Sequence, residues 1–79
     1  MMKLRVFAYG IVRDIAGKSF EMKVPGHTVG DLRNALIQTY PPLANLPSLM
    51  IAVNQNYADD RQPISPDDEV VLIPPVSGG

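Results

Sequence analysis

The chain has 79 residues, enough for one domain and close to the lower limit for a self-supporting core. Its 46% hydrophobic content is ordinary for a globular protein and too high for a disordered one, and no apolar run approaches the ~20 residues of a membrane span. Seven scattered basic and eight acidic residues give a net charge of −1, which argues against nucleic acid; the absence of cysteine excludes disulfides and thiol chemistry, and one histidine without cysteine argues against any transition-metal site.

Met1-Met2-Lys3-Leu4-Arg5-Val6 has neither a long apolar stretch nor a small-residue cleavage site, so no signal peptide is expected and the cytoplasm is the expected compartment. Lys3 to Tyr9 alternates: Leu4, Val6 and Ala8 face one way, Phe7 and Tyr9 the other, which predicts a strand with one core face. Gly10 to Lys18 is a connection in which Ile11, Val12, Ile15 and Ala16 can make a short helical turn that Gly17 ends. Phe20, Met22 and Val24 alternate with Glu21 and Lys23 in a second strand, paired with the first as a hairpin.

Pro25-Gly26 breaks that strand. His27 falls in this turn and is expected to be exposed rather than catalytic. Thr28-Val29-Gly30-Asp31 reads as a capping box, in which the Thr28 hydroxyl caps the helix and the Asp31 carboxylate reaches back to the Thr28 N–H. Val29, Leu32, Leu36 and Thr39/Tyr40 keep helical spacing, while Arg33, Asn34 and Gln38 are expected to face water. Pro41-Pro42 stops this helix, about three turns long.

Pro41 to Ser48 reads as a loop that tucks Leu43, Leu46 and Pro47 against the core. Leu49, Ile51 and Val53 alternate with Met50, Ala52 and Asn54 in a third strand, and the Asn54-Gln55-Asn56 turn returns Tyr57-Ala58 as a short edge strand. Asp59 to Pro63 and Ser65 to Asp68 are turns whose acids are expected to be solvated, with docking onto a basic partner as the alternative. Glu69 to Ile73 is nearly all apolar, which suits a central strand buried on both faces.

The order is strand, strand, helix, strand, short strand, strand. An α+β fold accounts for it: a mixed sheet of about five strands with one main helix packed on one face, the last strand parallel to the first, as in the ubiquitin-like β-grasp. Residues 1–79 then form a single domain with a flexible tail over 74–79. One helix covers one face, so Phe7 and one side of Val71/Ile73 are left without internal cover unless the loop from Pro41 to Ser48 folds over them. Phe7 and Tyr57 are the expected anchors for a partner there.

The tail is Pro74-Pro75-Val76-Ser77-Gly78-Gly79. Glycine has no Cβ, so a terminal Gly-Gly is thin enough to thread a narrow channel and deliver its α-carboxylate to another protein. Together with Val6-Phe7-Ala8, Arg13-Asp14-Ile15-Ala16-Gly17, Thr28-Val29-Gly30-Asp31-Leu32, Ala52-Val53-Asn54 and Pro63 to Val70, this ending resembles the MoaD/ThiS family, in the branch of small, sulfur-carrying subunits of molybdopterin synthase. Two segments depart from the family pattern. Tyr9-Gly10-Ile11 is slightly longer, and Pro66-Asp67-Asp68 stands where a glycine is frequent.

The resemblance implies a carrier rather than an enzyme. A ubiquitin-activating-like adenylyltransferase would use ATP to adenylate Gly79, and a sulfur donor would convert it to a thiocarboxylate. The tail, with Gly78 beside Gly79, would enter the large molybdopterin synthase subunit in a heterotetramer of two small and two large subunits. Sulfur would then pass to a cyclic pyranopterin monophosphate in molybdenum cofactor biosynthesis, with the catalytic side chains on the large subunit. No permanently bound cofactor, no metal and no membrane contact are implied. Phe7, Tyr57, Ile73, Pro74, Pro75, Val76 and Ser77 are the implied partner-binding residues. The alternatives are a carrier for thiamin thiazole, cysteine or tRNA thiolation, and a ubiquitin-like modifier conjugated through Gly79.

Overall fold

Alternation in the strands and a 3.6-residue period in the main helix build a structure with a single apolar core. The computed structural model describes residues 2–46 and 48–74. The elements in order are β1 (Met2–Ala8), α1 (Gly10–Ala16), β2 (Ser19–Val24), α2 (Val29–Thr39), a 3-10 helix (Pro41–Asn45), β3 (Met50–Val53), β4 (Asn56–Tyr57) and β5 (Val70–Ile73). The strands form one five-stranded sheet in the order β2-β1-β5-β3-β4. β1 and β5 are parallel neighbours in its centre, and the other pairs are antiparallel. This is the ubiquitin-like β-grasp that the element order predicts.

The inner face of the sheet carries Leu4, Val6, Ala8, Met22, Val24, Ile51, Val53, Val70 and Leu72, all buried. Val29, Leu32 and Leu36 of α2, Val12 of α1 and Leu43 of the 3-10 helix pack on that same face. Phe20 adds an edge-to-face contact with Tyr40, ring centroids 5.5 Å apart. Burying such a side chain stabilises by about 1.5–3 kcal/mol, so this one-sided core dominates the energetics.

The start of α2 shows why the chain turns where it does. A helix leaves its first N–H groups without internal partners, and each must be satisfied elsewhere. The Asp31 N–H donates to Thr28 Oγ1 (3.2 Å) and the Thr28 N–H donates to Asp31 Oδ2 (3.2 Å), completing the capping box. The Val29 and Gly30 N–H groups donate to the Gln62 and Asp60 carbonyls (both 2.9 Å). A Cβ at Gly30 would stand 3.1 Å from that Asp60 carbonyl oxygen, so glycine lets the turn approach the helix.

Three expectations about the elements need correction, and one alternative falls. The segment after Tyr40 is not a plain loop: Pro41–Asn45 is a 3-10 helix, which proline at its first positions favours. Leu43 places it on the helix side of the sheet, so it does not cover the outer face. Thr39 is exposed, and Tyr40 takes the apolar position. β5 is buried on one face only, because Val71 and Ile73 are half-buried on the side without helices.

Candidate functional site

The strand register assembles the outer face. Phe7 lies beside Val71, Val71 beside Ala52, and Ala52 beside Tyr57, so a continuous apolar row crosses β1, β5, β3 and β4. Strand spacing makes it roughly 14 Å wide. Ile73 and Met50 form the next row, toward the C-terminal end of β5. Tyr57 is 67% exposed, Tyr9 59%, Ile11 49% and Met50 40%; these are the large hydrophobic side chains most open to solvent among the described residues.

Three of the sequence-derived partner residues, Phe7, Tyr57 and Ile73, therefore share one face. Val71, Ala52 and Met50 complete the patch. The alternation of Leu49 to Asn54 already placed Met50 and Ala52 on one side, but only the register brings them beside Ile73 and Val71. Pro74 follows directly after β5 and is half-buried. Pro75, Val76, Ser77, Gly78 and Gly79 lie outside the described residues, so the expectations placed on them, including the flexible tail, rest on sequence alone.

Charge is distributed unevenly around this patch. On the β1-β2 side of the same face, Lys3 stands opposite Lys23 and Arg5 opposite Glu21, all exposed. Like charges placed directly across an antiparallel pair repel, so nothing in the fold itself favours the Lys3–Lys23 pair.

The acidic turns beyond β4 are partly engaged within the chain. Asp60 Oδ1 accepts from Arg33 Nε (3.0 Å), and Arg33 Nη1 donates to the Leu49 carbonyl (2.6 Å). Arg33, expected in water, instead clasps the turn and the residue before β3 to α2. Asp59 accepts from the Arg61 N–H (2.8 Å). Asp68 accepts from the Ser65 N–H (2.8 Å) and from Asn54 Nδ2 (3.0 Å), which closes the 65–68 turn without glycine.

Two carboxylates are tuned by these bonds. The Thr28 hydroxyl, with the His27 and Thr28 N–H groups, holds Asp31 below the usual carboxylate range. The Ser65 N–H and the Asn54 amide do the same for Asp68. Hydrogen bonds to the ionised form favour it. Both carboxylates are structural by their partners, and neither lies on the apolar row. His27 is exposed, and its hydrogen bonds run through its backbone. Among the described residues no three acidic, histidine or cysteine groups converge as metal ligands, and no helix is long and apolar enough to cross a membrane.

Comparison with known proteins sets this geometry in context. The sequence profile of the ThiS family matches residues 6–79. The molybdopterin synthase sulfur carrier subunit of Chlamydomonas reinhardtii is 33% identical over 84 aligned positions, covering 99% of this chain and 100% of that protein. The structure of subunits 1 and 2 of the molybdopterin-converting factor of Helicobacter pylori, a protein–protein complex, contains a similar chain: TM-score 0.69, 28% identity, 99% of this chain and 100% of that one. The small archaeal modifier protein 1 of Haloferax volcanii is also similar: TM-score 0.80, 26% identity, 98% of this chain and 99% of that one.

Proposed function

The chain belongs to the ThiS family, and from that premise we propose that it is the sulfur-carrier subunit of a molybdopterin synthase. The observation that carries this reading is the uncovered apolar face running from Tyr57 and Phe7 to Ile73, at the end of the strand that leads into Pro74 and the Gly78-Gly79 sequence. A monomer gains nothing from leaving such a patch in water, whereas a partner that covers it receives the tail at its edge. The complex of subunits 1 and 2 seen for the Helicobacter pylori relative supports a large subunit as that partner.

The chemistry follows from the terminus. A carboxylate is a poor electrophile, because its oxygen is a poor leaving group. Attack of the Gly79 carboxylate on the α-phosphorus of ATP, within an activating adenylyltransferase, expels pyrophosphate and converts that oxygen into a good leaving group as the acyl adenylate. A sulfur donor then displaces AMP and leaves a thiocarboxylate. Thiocarboxylate sulfur is ionised and nucleophilic at neutral pH, so it needs no base from this chain. In the large subunit the sulfur bonds to cyclic pyranopterin monophosphate, water cleaves the acyl–sulfur bond and returns the Gly79 carboxylate, and two such transfers build the dithiolene of molybdopterin. The catalytic side chains belong to that subunit, and ATP serves the activating partner. The cytoplasm, which supplies ATP, is the compartment this chemistry needs.

Any side chain at residue 78 or 79 widens the tail. Reconstitution with the activating enzyme, a sulfur donor, the large subunit and cyclic pyranopterin monophosphate tests the reading. Wild-type protein is expected to yield molybdopterin, whereas deletion of Gly79 or Gly78→Val gives none and leaves thermal stability unchanged. Normal synthesis by either variant would contradict the proposal. Similarity to an archaeal modifier protein keeps a second outcome in view. Reductant-resistant conjugates on a denaturing gel, in place of molybdopterin, would assign the same tail to protein modification.

A further inference from the structure

Gly10 opens α1 with a positive φ of 57°, and a Cβ placed on it would stand 2.8 Å from Pro74 Cγ and 3.6 Å from Pro74 Cβ. The parallel register explains this approach. Ala8 pairs with Leu72, and two residues further along each strand Gly10 meets Pro74. Both chains leave the sheet there. Pro74 has no N–H to continue a ladder, and the residue facing it has turned into a helix. Because Pro74 precedes another proline, its own backbone is held extended.

Gly17, at the other end of the same short helix, supplies a contrast within the molecule. It too has a positive φ, 103°, but a Cβ there would meet nothing within 4 Å. Backbone angle alone accounts for glycine at 17. At 10 glycine answers two demands, the angle and the space for Pro74.

Taking the carrier reading above as its premise, we propose that Gly10 is a positioning residue for sulfur transfer: its missing side chain is the seat for Pro74, and the seat sets the direction in which the tail leaves the body. Carbon atoms in ordinary contact sit about 3.5–4.0 Å apart, so a Cβ at 10 displaces Pro74 by roughly 1 Å. A 1 Å misplacement of a reacting group can cost about 10²-fold in rate. Gly10 touches no substrate in this scheme. It acts through Pro74 on where the thiocarboxylate arrives.

The test uses thiocarboxylated protein in complex with the large subunit, and follows a single turnover with cyclic pyranopterin monophosphate. Gly10→Ala is expected to slow the transfer step by about 10- to 100-fold while its affinity for the large subunit stays within about twofold. Adding Pro74→Ala, which removes the ring carbon that clashes, is expected to recover part of that loss, so the two changes are non-additive. Gly17→Ala, with the same kind of backbone demand and no neighbour, is expected to lower stability and leave the transfer rate unchanged. Should Gly10→Ala fail to fold, Gly10→Asn keeps the positive φ within asparagine's reach and still adds the Cβ.

Wild-type transfer with an equal rate in Gly10→Ala or Gly10→Asn overturns the proposal, as does strict additivity with Pro74→Ala. If wild-type protein itself transfers no sulfur, the carrier reading is what fails. The seat is then judged by the nuclear Overhauser contact between Gly10 Hα and the Pro74 ring, expected in wild type; its absence overturns the seat independently.

Discussion

The two faces of one sheet are built from alternate residues of the same strands, and they have opposite chemistry. On the inner face Leu4, Val6, Ile51, Val70 and Leu72 are fully buried under two helices and a 3-10 turn. On the outer face Phe7, Val71 and Ile73 are half-buried, and Met50 and Tyr57 are exposed. A neighbour in sequence thus belongs to a different task. The inner face holds the body together, and in the carrier role proposed above the outer face and the exit at Pro74 would present the chain to other proteins. In that role, a small domain would give one whole surface to recognition without weakening its core.

Substitutions on opposite faces should divide cleanly. The largest effect is expected for Leu72→Ala on the inner face, which removes a buried side chain from the core and lowers stability by about 2–5 kcal/mol. Chemical denaturation measures it, and a loss below about 1 kcal/mol would show that β5 is less tightly packed than its burial implies. Next comes Tyr57→Ala on the outer face. It is expected to weaken docking to the large subunit by about tenfold or more, equivalent to ~1.4 kcal/mol, with stability altered by less than about 0.5 kcal/mol. A loss of stability as large as the loss of affinity would erase the division between the faces.

Smaller effects test the cover of the inner face. Thr28→Ala removes half of the capping box at the start of α2 and is expected to cost about 1 kcal/mol. Equilibrium unfolding measures that cost, and the large subunit should bind the folded variant as tightly as wild type. The smallest effect is in acid. Asp31 and Asp68 have folded-state pKa values below the usual one, so ionised carboxylates stabilise the fold above the unfolded pKa of about 3.9. That stabilisation is lost as pH falls below about 4 and through the lowered folded values. Melting temperature should therefore be level near neutrality and fall below about pH 4, less steeply in Asp31→Asn. An unchanged acid limb in that variant would remove Asp31 from the account.

Local chemistry made much of this legible. Alternation identifies β1, β2 and β3 and their core residues, and the Thr28 to Asp31 spacing specifies the cap on α2. Alternation in β1 puts Phe7 on the face away from the helix, whereas Tyr57 and Ile73 join it there through the family resemblance. Arg33 was misread because its partners, Asp60 and the Leu49 carbonyl, are far away in sequence and helical spacing alone turns it outward. The continuous apolar run in β5 suggested burial on both faces, but apolar content cannot say whether a second layer exists to cover it. Gly10 looked like a mere start to a connection. Only the parallel register of β1 with β5 brings Pro74 to it, and register is a long-range property that no local pattern encodes.

The central claim is that the atom this protein handles travels on its last carbonyl. Intact mass spectrometry of protein purified from its own host tests this most directly. The account predicts a fraction heavier by about 16 Da, the exchange of one oxygen for sulfur, localised to the C-terminal peptide and absent when the activating enzyme is deleted. Protein that never shows this increase, even with the activating enzyme and sulfur donor present, would contradict the account.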